Sequence, residues 1–196
     1  MQKQLKQQLE TIQKAFQDYN DDNVDVLIHQ CFKILKNGGK IIATGLGKNV
    51  PICEKFIGTL NSVGIDSHFL HTNSAMHGDL GLVKKNDLII ILSKSGETKE
   101  STDLAKLLKI RGTNSWLLTC TDNSSIQKIL KQSVVIPIEH EGDPWNVIPN
   151  NSTLVFLIFL QALAMELIEK MEVPLSVFKE NHPGGAIGKL LKKSKI

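Results

Sequence analysis

Six consecutive residues, SKSGET at positions 93–98, form the pattern in this sequence with the clearest chemical meaning. Three hydroxyl residues flank a glycine, and a helical pattern follows directly; they are Ser93, Ser95, Gly96 and Thr98. Backbone N–H groups at the start of a helix bind anions, and hydroxyls add further hydrogen bonds to a phosphate. An ordinary N-cap would explain one of these hydroxyls but not the whole run. The segment therefore predicts a cradle for one phosphate monoester.

A second loop, GLGKN, begins at Gly45 and follows an apolar run. Its glycines match the start of the dinucleotide-binding pattern GxGxxG, but the third glycine would fall at Val50. A nucleotide-binding P-loop is excluded as well, because Asn49 stands where that motif needs Ser or Thr. What remains is a glycine turn, with Gly45 and Gly47, that places Lys48 at a helix start. A cation there opposes the helix dipole, so Lys48 is predicted to have a function, with a solvent-facing lysine as the alternative.

Titratable side chains occupy the other loops in which predicted strands end. His77 lies in MHGDLG, Glu97 in SKSGET, Glu141 after the last predicted strand and His182 in NHPGG. Ligands of parallel sheets bind beyond the carboxyl ends of the strands, so these groups are expected around one phosphate-lined crevice. For each group taken singly, a structural role is as common as a catalytic one, and Asp79 either caps a turn or orients His77. The remaining histidines are predicted to be structural: His29, His68, His71 and His140.

The elements that must position these residues follow from the apolar pattern. Apolar residues at steps of three and four predict two N-terminal helices at 5–19 and 24–35, the second capped by the polar residues 21–23. Short apolar runs, most of them continuous, predict strands that are buried on both faces. These strands are 40–44, 67–70, 88–92, 116–120 and 134–138. Further helices are expected near 50–63, 99–110, 125–130 and 153–170.

Strand–helix alternation of this kind predicts an α/β fold, a three-layer αβα sandwich around a five-stranded parallel sheet. Residues 1–196 are expected to form one domain, in which residues 1–38 supply packing helices and residues 189–196 form a basic, solvated tail. Residues 154–160 are apolar on all sides, which predicts burial on every side of that helix, in the core or against another subunit.

Composition narrows the classes of function. The chain has 196 residues, of which 41% are hydrophobic and 22% charged, as is ordinary for one compact domain. A net charge of +3 and an aromatic content of 5% do not favour a nucleic-acid partner. The start has no signal-peptide pattern, and three widely spaced cysteines favour reduced thiols over disulfides or zinc. The sequence therefore predicts a cytoplasmic protein with no nucleic-acid and no membrane partner.

Four of these segments together resemble a known family. They are GLGKN at 45–49, MHGDLG at 76–81, LSKSGET at 92–98 and NHPGGAIGKLL at 181–191. In type, order and spacing they resemble the sugar isomerase (SIS) domain, and more narrowly the arabinose 5-phosphate isomerase group known as KpsF/GutQ. SKSGET is typical of SIS domains in general, whereas HGDLG and HPGG are much narrower. The resemblance covers residues 40–191.

The resemblance implies reversible isomerisation of D-ribulose 5-phosphate and D-arabinose 5-phosphate through an enediol, with no metal and no organic cofactor. The product would feed synthesis of Kdo, the acid sugar of lipopolysaccharide and some capsules. The resemblance also implies a homotetramer with its sites between subunits and a sugar phosphate as the small-molecule partner. The matching catalytic positions are Lys48, His77, Glu97, Glu141 and His182. The matching substrate-binding positions are Gly45, Gly47, Asn49, Ser93, Ser95, Gly96, Thr98, Ser152 and Thr153.

Each of these residue types suits a step of that reaction. Isomerisation removes a proton next to a carbonyl group and returns it to the neighbouring carbon. A carboxylate that shuttles this proton contributes about 10²–10⁴-fold, and Glu141 is the predicted base with Glu97 as its competitor. Lys48 would stabilise the enediolate oxygen. His182 or His77 would move protons between the substrate oxygens or open a cyclic sugar.

Some features depart from the family pattern. Many members continue after HPGG into a pair of CBS domains, whereas this sequence ends at Ile196, so either a short natural form or a trimmed piece of a longer chain is expected. Asn49 replaces the serine of the usual GKS, and two amides precede Ser152, which leaves another pentose or hexose phosphate open. The alternatives are a related isomerase such as 6-phospho-3-hexuloisomerase, and a non-catalytic sugar-phosphate sensor. HPGG argues against the first, and the short stretch before the first strand leaves no room for a sensor's helix-turn-helix domain.

Overall fold

The computed structural model describes residues 1–19 and 22–193, without the side chains of 191–193. The helices in this part of the chain are α1 (Gln2–Gln17), α2 (Asp22–Lys36), α3 (Asn49–Ser62), α4 (Thr72–Ala75), α5 (Lys99–Arg111), α6 (Ser125–Leu130), α7 (Asn151–Lys170), α8 (Leu175–Asn181) and α9 (Gly185–Lys193), with a 3₁₀ helix at Asp79–Leu82. The strands are β1 (Ile41–Gly45), β2 (Ser67–Phe69), β3 (Leu88–Leu92), β4 (Asn114–Thr119) and β5 (Ser133–Val135).

The five strands form one sheet in the order β2-β1-β3-β4-β5, and every neighbouring pair is parallel. The central pair is in register from Ile41 beside Leu88 to Gly45 beside Leu92. This confirms the predicted five-stranded parallel sheet. The direction of strand succession reverses between β1 and β3, so the loops after these two strands border the crevice in which such sheets bind ligands.

Two apolar clusters cover the two faces of the sheet. Ile41 and Ala43 face the layer formed by α1, α2, α3 and α7, whereas Ile42 faces the layer that contains α5 and α6. All residues of β1 and β3 are buried, as predicted from their continuous apolar runs. The structure therefore confirms the three-layer αβα sandwich.

The main differences from the predicted elements lie at the sheet edge, in the connection between β2 and β3, and near the end of the chain. β5 ends at Val135 rather than at residue 138, because its one neighbour in the described sheet, β4, ends at Thr119, the residue that pairs with Val135. α4 and the 3₁₀ helix, four residues each, are absent from the prediction, which has a loop there. α8 and α9 are absent as well, because the proline and glycines of HPGG between them are typical of a loop. Of the expected basic tail, residues 189–193 are helical in α9, whereas residues 194–196 and the expected cap residue Asp21 lie outside the described residues.

Helix α7 is buried on one side only within the single chain, so of the two expectations burial wholly in the core is wrong and burial against another subunit stays a prediction. Its inner face packs into the core through residues such as Phe156 and Leu160, but 44% of Ile158 and 52% of Met165 are exposed. Among the described residues it is the one helix long and apolar enough to cross a membrane, and half of its most apolar stretch is buried in the protein. An all-round apolar helix thus has a core face and a second apolar face on the surface of the single chain.

Candidate active site

The phosphate loop, defined as residues 93–98, connects the end of β3 to the start of α5. The hydroxyl of Ser93 accepts the N–H of Gly96 at 3.2 Å, and the hydroxyl of Ser95 accepts the N–H of Glu97 at 3.2 Å. A hydroxyl that accepts one hydrogen bond keeps its own O–H to donate. Thr98 is the N-cap residue of the 13-residue helix α5, and its side chain makes no capping hydrogen bond. The loop thus gathers hydroxyls at a helix start, as predicted.

Gly96 is required in this loop for two reasons. Its φ of +64° lies in the left-handed region, which side chains other than that of glycine rarely adopt. A Cβ atom at this position would lie 2.2 Å from Oγ of Ser124, which precedes α6. The phosphate loop and the start of α6 therefore pack closely enough to exclude any larger residue.

The loop after β1 places Lys48 on the same edge of the sheet. A Cβ atom at Gly45 would lie 2.9 Å from Cβ of Asn49, so the backbone turns tightly there, and Gly47 adopts a φ of +57°. The side-chain amide of Asn49 donates to the carbonyl of Leu92 at 3.3 Å and joins this loop to the end of β3. Lys48 is exposed at the start of α3. Its ammonium group is available to a ligand bound at this edge.

Glu141 is the most tightly held carboxylate of the site, and its side chain is fully buried. Its Oε2 accepts the N–H groups of Asn150 and Ser152, both at 2.9 Å. Its Oε1 accepts the Ser152 hydroxyl at 2.7 Å and lies 2.7 Å from Nζ of Lys94. Burial alone would raise the pKa of Glu141, but the hydrogen bonds from Lys94, Ser152 and Asn150 outweigh it and lower that pKa. Each carboxylate oxygen has two donors, so Glu141 accepts a proton in this arrangement only after one donor leaves.

The segment between Glu141 and α7 is fixed by its own polar side chains. Asn146 accepts the N–H of Glu141 at 2.7 Å, and the amide of Asn150 donates to the Glu141 carbonyl at 2.9 Å. Asp143 accepts three backbone N–H groups, those of Trp145, Val147 and Ile148. Ordered in this way, the segment holds the Glu141 carboxylate at the start of α7.

Glu97, the competing base, has a different environment. Its side chain is exposed, and Oε1 accepts the N–H of Ser125 at 2.8 Å, at the start of α6. Hydrogen bonds from the side chain and from the backbone N–H of Ser125 lower the pKa of Glu97. Glu97 is therefore an exposed carboxylate that a ligand can reach, whereas Glu141 is buried.

The two predicted hydroxyls at the start of α7 have partners within the protein. Ser152 donates to Glu141, and the Thr153 hydroxyl donates to the carbonyl of Asn150 at 2.7 Å.

His77 follows α4 and is exposed. The buried hydroxyls of Thr44 and Thr72, 3.0 Å apart, tie the start of α4 to β1. His77 is thereby placed near the carboxyl edge of the sheet.

His182 lies at the opposite edge of the sheet, so a single chain does not bring it together with Glu97 and Glu141, and the common crevice stays a prediction for this residue. Its Nδ1 is 2.8 Å from the carbonyl of Phe178, and its ring packs on the Phe178 ring with the centroids 3.9 Å apart. The preceding Asn181 donates to the carbonyl of Ser62, the last residue of α3. Because α3 begins at the carboxyl edge and ends just before β2 begins, α8 packs at the amino edge of the sheet.

Two residues next to Glu141 were missed in the prediction of the site. Lys94 lies between two predicted phosphate ligands, and a cation in that position is the signal that could have identified it. Cys120, at the end of β4, is close enough to Glu141 and Lys94 for their charges to act on its thiol, and burial raises the pKa of Cys120 to about 12. Cys120 is therefore a neutral thiol. Within the described part of the chain, no three His, Cys, Asp or Glu side chains are grouped to hold a metal ion.

This arrangement agrees with the family to which the sequence can be assigned. The model of the SIS domain family matches residues 34–166, which is more than half of the chain. The chain belongs to the SIS domain family. The matched range contains the phosphate loop, Lys48 and Glu141, whereas His182 lies beyond it.

Individual relatives narrow the comparison. Arabinose 5-phosphate isomerase KdsD of Pseudomonas aeruginosa is 34% identical over 85% of this chain and 51% of its own length. A probable arabinose 5-phosphate isomerase of Haemophilus influenzae is 36% identical over 81% of this chain and 47% of its own. An E. coli CFT073 protein solved in complex with arabinose 5-phosphate superposes with a TM-score of 0.83 at 32% identity, over 92% of this chain and 94% of that one. The chain spans about half the length of the curated relatives that it matches.

Proposed function

We propose that this protein is an aldose–ketose isomerase that interconverts D-ribulose 5-phosphate and D-arabinose 5-phosphate. The observation that carries the proposal is the joining of the hydroxyl-rich phosphate loop to a buried, ionised carboxylate through Lys94. One group suits a phosphate monoester and the other suits proton transfer beside it. The relatives named as arabinose 5-phosphate isomerases support this substrate over a hexulose phosphate.

The reaction consists of two proton transfers at neighbouring carbons. The base removes a proton from C1 of ribulose 5-phosphate, a C1–C2 double bond forms, and the C2 carbonyl oxygen takes a proton to give the enediol. The O1 hydroxyl then loses its proton as the C1 carbonyl forms. The protonated base returns a proton to C2 on the face that yields the arabinose configuration. Charge develops on the substrate oxygens, so a fixed cation beside them lowers the barrier.

We assign the steps to the predicted residues. Glu141 is the proposed base and Glu97 the competitor, with Lys48 as the cation beside the developing oxyanion. His77 or His182 transfers protons between O1 and O2 or opens the cyclic sugar. The phosphate is held by the hydroxyls of Ser93, Ser95 and Thr98 in the loop whose turn Gly96 makes, while Gly45 and Gly47 allow close approach of the β1 loop. Asn49, Ser152 and Thr153 support the residues that contact the substrate rather than contact it themselves, because each already has a protein partner.

We propose further that the active form is a cytoplasmic homotetramer in which a second copy supplies His182. Within one chain His182 lies at the amino edge of the sheet, away from Glu141. The exposed apolar side chains of Leu5 and Leu9 on α1 and of Ile158 and Met165 on α7 favour contact between copies. A chain without its partners would then lack one histidine at the site.

Mixing two inactive variants tests the shared site. Glu141→Gln and His182→Asn chains, each inactive alone, should regain about a quarter of the wild-type activity after dissociation and reassociation in equal amounts, because about one site in four receives both intact residues. No recovered activity in a mixture that forms tetramers would show that His182 does not act across subunits.

The substrate is tested by NMR of ribulose 5-phosphate with the purified protein in D₂O. The proposal predicts arabinose 5-phosphate with deuterium at C2, since the base exchanges its proton with solvent. Binding without conversion would point to the sensor alternative, and conversion of hexulose 6-phosphate instead would point to the other isomerase. Supply of the product to Kdo synthesis stays a prediction from the resemblance.

A further inference from the structure

Lys94 lies inside the phosphate loop, yet its ammonium group pairs with a carboxylate. Nζ of Lys94 is 2.7 Å from Oε1 of Glu141, and 41% of the Lys94 side chain is exposed while Glu141 is fully buried. The carbonyl of Lys94 accepts the N–H of Cys120 and the hydroxyl of Thr119, so its backbone is fixed to β4. The lysine side chain can therefore change partners through solvent, whereas its backbone and its carboxylate partner stay in place.

Glu141 remains held after Lys94 leaves. The N–H groups of Asn150 and Ser152 both bind Oε2, and the Ser152 hydroxyl binds Oε1. Departure of the ammonium group would thus free one position on Oε1 without releasing the carboxylate. Cys120 is a titratable group close to this pair, and its thiol is neutral. Among the donors that lower the pKa of Glu141, Ser152 and Asn150 are neutral, so Lys94 is the charged donor whose movement changes the basicity of Glu141.

We propose that Lys94 is a positioning residue that the substrate releases from Glu141. In the free enzyme the Lys94 ammonium group pairs with Glu141, and when the sugar phosphate binds, this group moves to pair with the phosphate. Oε1 of Glu141 is then free to take the C1 proton. This inference rests on the proposed function. A phosphate monoester carries up to two negative charges and three strong acceptor oxygens, so it competes effectively with one carboxylate for a lysine. A sugar without phosphate would leave the base covered.

The first test separates KM from kcat in the variant Lys94→Met, with ribulose 5-phosphate as substrate. Loss of one charged hydrogen bond to the phosphate should raise KM about tenfold. kcat should stay within about threefold at pH 8, because the base is already uncovered. Lys106→Met removes an exposed lysine of α5 and is the matched control, for which both constants should be unchanged. A fall in kcat with unchanged KM would overturn the proposal, since it would mark Lys94 as a permanent partner of Glu141.

The pH dependence of kcat and kcat/KM provides a second test, because a merely structural role of Lys94 would not change it. The acid limb of kcat/KM reports the base in the free enzyme, and that of kcat reports it in the substrate complex. A nearby cation lowers a carboxyl pKa, so Lys94→Met should move the kcat/KM limb up by about one pH unit and leave the kcat limb in place. Titration of the substrate's own phosphate affects wild type and Lys94→Met equally, so it does not contribute to the difference between their pH profiles. A shift of both limbs together, or of neither, would contradict release by the substrate.

Lys94→Arg keeps the charge and should restore KM and the wild-type position of the kcat/KM limb. Lys94→Gln takes the place of Lys94→Met in both tests if the methionine variant does not fold.

Failure of the proposed function can be distinguished from failure of the inference on Lys94. A wild-type protein that isomerises no sugar phosphate refutes the proposed function and this inference with it, whereas an active wild type with unaltered limbs in Lys94→Met refutes this inference alone.

Discussion

A pair of a buried carboxylate and a lysine lies at each end of strand β3, and the two pairs differ in how the lysine is held. At the amino end, Nζ of Lys40 lies 2.8 Å from Asp87, and 16% of the lysine side chain is exposed. At the carboxyl end, Nζ of Lys94 lies 2.7 Å from Glu141, and 41% of the lysine side chain is exposed. The same kind of ion pair thus occurs twice. We call Lys40–Asp87 the closed pair, because its lysine is mostly buried, and Lys94–Glu141 the half-open pair, because its lysine is partly exposed.

The closed pair has a purely architectural arrangement. Asp87 also accepts the backbone N–H groups of Lys40 and Lys84, so it fixes the start of β1 against the start of β3. The half-open pair instead joins a phosphate loop to the start of α7. A buried ion pair is weak support for stability by itself, because desolvation offsets its attraction. The comparison supports the proposed role of Lys94, because its side chain reaches solvent and the side chain of Lys40 mostly does not.

Removing the carboxylate at the carboxyl end should have the largest effect. Glu141→Gln should lower kcat at least about 100-fold, because the amide cannot take the C1 proton. Steady-state kinetics with ribulose 5-phosphate provides the measurement. Glu139→Gln, which alters an exposed carboxylate paired with Lys14, is the control and should stay within about twofold. Near-normal turnover of Glu141→Gln, together with loss of activity in Glu97→Gln, would transfer the role of base to Glu97.

Removing the charge of Asp87, at the amino end of β3, should lower the stability of the protein and leave its catalysis unchanged. Asp87→Asn leaves Lys40 without its anion and should lower the free energy of unfolding by about 2–3 kcal/mol, less than for a fully buried pair because Lys40 still reaches water. Urea unfolding measures this loss. kcat should be unchanged under conditions in which the variant is folded. A matching fall in kcat would show that the two pairs are not separate in function.

Two glycines of the crevice sharpen the comparison within the carboxyl edge. Gly96 and Gly47 both have positive φ values, but only the Cβ of an alanine at 96 would meet Ser124. Gly96→Ala should therefore cost about 2 kcal/mol of stability and Gly47→Ala about 1 kcal/mol, the latter for backbone strain alone. Thermal or urea unfolding of the pair gives the difference. Equal losses would mean that the phosphate loop relaxes away from α6.

The smallest expected effect is on acid stability. The pKa of Glu141 is lowered in the folded protein, so its contribution to stability is present above the unfolded pKa of about 4.3 and is lost as the pH falls through the lower folded value. The free energy of unfolding of wild type should therefore decrease more steeply below pH 4 than that of Glu141→Gln. Urea titrations at several pH values compare the two slopes. Parallel slopes would show that Glu141 has an ordinary pKa.

Much of the fold could be predicted because its signals are local. The runs at β1 and β3 are continuous and apolar, and the phosphate loop is a contiguous motif that begins a long helix. The environment of Glu141 could not be predicted in the same way, because its donors come from two loops that meet only in the folded chain. Lys94 was overlooked for that reason, although its motif was identified.

His182 shows a second limit of prediction from the sequence. His182 belongs to a segment with no apolar periodicity, so nothing in the sequence indicates that α8 packs on the end of α3. Its distance from Glu141 within one chain became visible only in three dimensions. Helix α7 shows the same limit, since an all-round apolar pattern does not separate a core face from a face left for another copy.

The most direct test of the central comparison follows the two lysines while substrate binds. Correlation of lysine Cε and Nζ resonances by NMR, assigned with Lys40→Arg and Lys94→Arg, reports the partner of each ammonium group. With saturating ribulose 5-phosphate, the Lys94 resonance should move to a new position and the Lys40 resonance should stay unchanged. An unchanged Lys94 resonance in a protein saturated with the sugar phosphate would contradict the account.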